Sequence, residues 1–149
     1  MRRDPRAFIW VAVIVQVLTF AWEGLWHGVL NPEFERAPTV EAMRHHLSTV
    51  HIPFYVGIVA LLAATTWALV AHIRRRGTGF AIPLVFAMAV GQVIGQVWDA
   101  VEHLRLSHGG PIAWTLIVLG FIGVPIVLWI DGWRRRRCAI SDAASRRAA

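Results

Sequence analysis

The chain has no lysine, one cysteine and one tyrosine, and only nine of its 149 residues are acidic. The lone thiol, Cys138, excludes a disulfide framework and supplies no thiolate set for an iron–sulfur cluster. It lies among arginines beyond the last apolar run and is read as an unmodified thiol, with acylation as the alternative. There is no phosphate-binding glycine loop, no His-Glu-x-x-His and no Ser-His-Asp order. These absences remove nucleotide hydrolysis, zinc-protease chemistry and triad catalysis as first readings.

What is present is apolar: 56% of the residues are hydrophobic and the mean hydropathy is +0.53. Four apolar runs, each about twenty residues long, are the length a bilayer demands of a helix, and a soluble domain of this size would not carry them. The net charge of +6 comes entirely from arginine, clustered at residues 2–6, 74–76 and 134–137. Arginines at span ends follow the positive-inside rule and put both termini in the cytoplasm of a multi-pass protein of the cell (plasma) membrane. They are not interleaved with aromatics on one domain, so no nucleic-acid partner is expected. The loop 31–50 is mildly acidic and falls outside.

The expected fold is an all-α membrane protein, one integral membrane domain over 1–149 folded as a four-transmembrane-helix bundle. Its spans are about 7–29, 51–73, 80–104 and 112–133, with an outer interfacial helix at about 39–50 and a cytoplasmic basic tail at 134–149. The first run continues past the small-x-small stretch Thr19-Phe20-Ala21 to Leu30, so it is read as a retained span and not a cleaved signal. Gly24 with Gly28, and Gly91 with Gly95, are spaced to let another helix approach closely.

Two short stretches carry the chemistry. Trp22-Glu23-Gly24-Leu25-Trp26-His27 and Trp98-Asp99-Ala100-Val101-Glu102-His103 both read Trp, acid, three residues, His, at an offset of 76. The same offset aligns Gln16 with Gln92. Acid and imidazole four apart share one helix face, and ionisable groups inside spans point to function. The chain is therefore read as an internal repeat of two helical hairpins, related by a pseudo-twofold axis, with spans one and three brought together at the outer leaflet.

Imidazoles with carboxylates suit a transition metal (copper, iron or zinc) in a mono- or dinuclear site. The expected ligands are Glu23, His27, His51, Asp99, His103 and His108, with Glu102 and His46 as additional candidates. Glu102 has a competing partner in Arg105, and His46 faces what reads as an aqueous loop. Glu23, Asp99 and Tyr55 are the candidate catalytic groups, the carboxylates as proton carriers and Tyr55 as a donor one turn from His51. Trp22, Trp26 and Trp98 form an outer aromatic belt or, alternatively, the wall of a substrate pocket.

Asp99-x-x-x-His103 followed by His108 resembles the Asp, His, His copper ligands of the membrane C subunit of particulate methane and ammonia monooxygenases. The resemblance covers three residues, with a shorter interval to the third, and no family is adopted from it. The reading is a metal-binding membrane oxidoreductase acting on a membrane lipid or lipid-soluble substrate. A metal-free lipid isomerase or hydrolase, and a metal-transport, delivery or assembly subunit, are the alternatives. A homodimer or membership of a larger membrane complex is compatible with its small size.

Overall fold

The computed structural model describes residues 4–33, 39–107 and 110–148, and these are helical almost throughout. Helix α1 (Pro5–Leu25) is opened by Asp4, whose carboxylate accepts the Arg6 backbone N–H at 3.0 Å, with Pro5 in the first turn where no N–H is needed. It runs on as a π-helical turn over Trp26–Leu30 and stops at Asn31. Helix α2 (Val40–Thr49) starts at Thr39, whose hydroxyl accepts the Ala42 N–H at 3.1 Å.

Helices α3 (Ile52–Arg74) and α4 (Ala81–Leu104) both end on a non-glycine residue in the left-handed region, Arg76 at φ 49° and Leu106 at φ 56°. In each, the next two N–H groups fold back onto carbonyls of the last turn, the Schellman arrangement: Gly77 to His72 and Arg76 to Ile73, then Ser107 to Glu102 and Leu106 to His103. Helix α5 (Pro111–Val118), a second π-helical turn (Leu119–Gly123) and α6 (Val124–Ala148) form one continuous rod. Pro125 lacks an N–H and crowds the carbonyl four residues earlier, and the wide turn just upstream absorbs that misfit.

Four helices are long and apolar enough to cross a membrane: Pro5–Leu30, Ile52–Arg74, Ala81–Leu104 and Pro111–Ser141. Their outward faces carry Val11, Ile14, Leu18, Val59 and Ile94, each more than half exposed, as hydrocarbon solvent requires. The basic segment 134–148 is helical and continuous with the fourth long helix.

The helices pack in sequence order, α1 on α3, α3 on α4, α4 on α5 and α6, with α6 returning to α1. Spans one and three therefore occupy opposite corners and face each other across the bundle axis. Close approaches at glycine set this packing, that of Gly120 to Gln92 among them. A Cβ on Gly57 would lie 2.6 Å from Thr19 Oγ1 and 3.0 Å from the Gln16 Cα, and one on Gly95 would lie 2.7 Å from the Ala113 carbonyl oxygen. Gly95 fulfils its expected role. Gly24 and Gly28 have nothing within 4 Å, because the close contact of α1 falls on the face opposite Gly57.

Along the axis the interior changes character. Towards the arginine-rich end it is apolar: Ile9, Leu61, Ala68, Val85, Val124 and Leu128. There Arg6 binds Asp131 at 2.9 Å and Arg135 binds the same oxygen at 3.0 Å, tying the start of α1 to α6. Gln16, Thr65 and Gln92 are buried at mid-depth. Beyond them lies a polar end, across which α2 packs on α3 and α4.

Candidate metal centre

Glu23 is the hub of the polar end. It lies one turn before the π-helical turn that carries His27, and His27 Nε2 donates to Glu23 Oε1 at 3.0 Å. The same oxygen lies 3.2 Å from His51 Nδ1 and 3.6 Å from His46 Nε2. Three imidazoles from three segments (the π-helical turn after α1, α2 and the residue that precedes α3) therefore surround one carboxylate oxygen.

The geometry around His51 is informative. Nδ1 is buried and has no hydrogen-bond partner among the described residues, although Glu23 Oε1 is only 3.2 Å away. The two atoms approach without the alignment a hydrogen bond needs. Two donors bound to one ion at about 2.0–2.1 Å, at tetrahedral or octahedral angles, lie roughly 3.0–3.4 Å from each other. Glu23, His46 and His51 each offer one such atom, with no two more than 4.8 Å apart, so this group can hold a metal ion. Packing holds the rings in place: Trp26 lies 4.4 Å from His46 and His46 lies 4.4 Å from His51, centroid to centroid.

His46 was expected to face an aqueous loop, yet it is 2% exposed. The reason is the phase of α2. Its apolar Met43 and Leu47 are buried against the bundle, and His46 shares that face. His45 stays exposed.

The second acid–imidazole pair lies across a cavity of about 190 Å³. Glu23, His27 and His51 form one side, and Gln96, Asp99 and His103 the other. His103 Nδ1 donates to the Asp99 backbone carbonyl at 2.8 Å, since a carbonyl only accepts, and sits 3.4 Å from Asp99 Oδ2. In the neutral ring Nε2 is then the acceptor. The ring centroids of His51 and His103 are 6.4 Å apart, so the two halves meet at His51. The apolar walls are Phe20, Phe54, Trp114 and Ile117.

The remaining candidates lie elsewhere. His108 is outside the described residues. Glu102 points away from the cavity and is held by Arg105 at 3.3 Å and by the Ser107 hydroxyl. Tyr55 has its ring 5.7 Å from that of His51 but lines a separate, apolar groove between α3 and α4. Trp22 and Trp98 are 40% and 42% exposed and do not line the cavity. Each precedes its acid by one residue, and a step of one turns a helix face by about 100°. Trp26 packs on the imidazoles, and the cavity wall uses Phe20, Phe54 and Trp114 instead. Gln96 is a lining residue too, and its place one turn before Asp99 is the sequence signal for it.

Comparison with protein-family models, with curated proteins and with solved structures gave no match.

Proposed function

We propose that this chain is a membrane-embedded metalloprotein whose ion is held by Glu23, His46 and His51, and that it works as an oxidoreductase on a lipid-soluble substrate. The observation that carries this reading is the convergence of His51 and His46 on a single oxygen of Glu23, at 3.2 and 3.6 Å, the first of these a ligand-to-ligand distance. Two imidazoles and one carboxylate suit iron, copper or zinc and leave coordination positions open for a reactant. His27, donating to the same carboxylate, orients it and strengthens the site as an outer partner.

Both termini belong to the cytoplasmic side on this reading, because the arginine clusters gather at the end opposite the metal ligands. The Asp99–His103 half is the diverged counterpart of the Glu23–His27 half. A transport role is disfavoured by the apolar plug of Ile9, Leu61, Val85 and Val124 across the basic end. A homodimer or a larger membrane assembly remains compatible with this function.

Elemental analysis of the purified protein tests it. The wild type is expected to retain about one ion per chain, and Glu23→Gln, His46→Ala and His51→Ala to lose most of it. His45→Ala keeps the ion. Retention of metal by all three ligand variants, with helicity unchanged, would refute the assignment. If no metal binds and Asp99→Asn abolishes a lipid conversion, the metal-free proton-transfer reading takes its place.

A further inference from the structure

We infer that the cavity wall facing the metal ligands, made by Gln96, Asp99 and His103, is a subsite for the head group of a membrane-soluble phenol, admitted from the bilayer between α1 and α5 past Gly24. The inference rests on the metal reading only for what happens to the bound molecule, not for its binding.

The wall is built of acceptors. Gln96 and Asp99 are each 5% exposed, and Gln96 Oε1 and Asp99 Oδ1 are buried with no hydrogen-bond partner among the described residues. Both residues line the cavity. In its neutral form His103 adds a third acceptor, because its Nδ1 proton is committed to the Asp99 carbonyl. A buried oxygen without a donor is costly, so this wall selects a ligand that brings an N–H or O–H. It repels a carboxylate or a phosphate.

The rest of the cavity narrows the class. Phe20, Phe54 and Trp114 supply ring faces, and about 190 Å³ is of the size that takes one aromatic ring. With the ring against the aromatic wall, a hydroxyl on it lies on the side of Gln96, Asp99 and His103.

The path is lateral. Helix α1 packs on α3 and meets the fourth helix through Phe20 and Phe121, centroids 4.9 Å apart. Past that contact, towards the site, Gly24 lines the cavity with nothing within 4 Å of a Cβ built on it, and Trp114 opposite is 49% exposed. The gap between α1 and α5 thus opens on lipid, and an alkyl tail can remain outside.

Equilibrium binding of radiolabelled 4-octylphenol and 4-octylanisole to the full-length protein in phosphatidylcholine nanodiscs, corrected for empty discs, tests this without any variant. The phenol is expected to bind roughly tenfold to a hundredfold more tightly than its methyl ether, the usual value of a hydrogen bond to a charged acceptor. Asp99→Asn should weaken the phenol about tenfold and leave the ether unchanged. Gly24→Phe, at a helical position with open space, should weaken both ligands while metal content is kept. Equal affinity for phenol and ether overturns the subsite, as does tighter binding of octylammonium than of octylphenol. Undiminished binding to Gly24→Phe overturns the lateral path. Metal measured in the same samples separates the two readings. Discrimination in a metal-free sample supports the subsite and removes the metalloprotein, and metal without discrimination does the reverse.

Discussion

His46 and His45 are adjacent, and nothing in their own chemistry separates them. Helix phase does: one is 2% exposed beside Glu23 and Trp26, and the other is exposed. Calorimetric titration of the metal-stripped protein with zinc should show His46→Ala binding at least ~100-fold more weakly than wild type, with His45→Ala within about threefold. The acid–imidazole spacing on α1 and α4 was readable because both partners lie on one helix, where the period fixes their relation. His46 and Glu23 are brought together by the docking of α2 on the bundle, and no local period encodes that contact. The same limit applied to the tryptophans: their neighbourhood to the acids in sequence is a 100° turn away from them in space.

At the scale of the element, glycine spacing misled for α1 and served for α4. Gly24 and Gly28 have the right interval but face open space, whereas Gly57, alone on α3, bears the close contact. Gly57→Ala should destabilise the bundle by about 1–3 kcal/mol, since its neighbours include the Gln16 backbone, which cannot step aside. Gly24→Ala should instead raise stability by about 0.5–1 kcal/mol through helix propensity. The helix ends give a further case. Leu106 holds a left-handed conformation that favours glycine, so Leu106→Gly should add on the order of 1 kcal/mol, read as a shift in the unfolding midpoint in detergent. The presence of four long apolar helices was legible, because apolar length and flanking proline or arginine mark them directly. The π-helical turns were not, although Pro125 hinted at a disturbance in the fourth helix.

For the whole molecule, the division into an apolar basic end and a polar opposite end follows from where charge falls along the four runs. Asp131, an acid at the basic end, joins α1 to α6 by accepting from Arg6 and Arg135. Asp131→Ala leaves Arg6, with a side chain 19% exposed, without its main partner, and should lower stability by about 1–3 kcal/mol. Arg44→Ala, which breaks a pair whose side chains are 68% and 86% exposed, should change it by less than 0.5 kcal/mol in the same denaturation assay. The unbroken run of α6 to Ala148 has a geometric consequence. Arg134, Arg135, Arg136 and Arg137 step by about 100° each and so encircle the helix, which leaves no apolar stripe there that could rest on a bilayer. Residues 134–148 thus form roughly 22 Å of helix at 1.5 Å per residue, and its first turn presents guanidinium groups on every side.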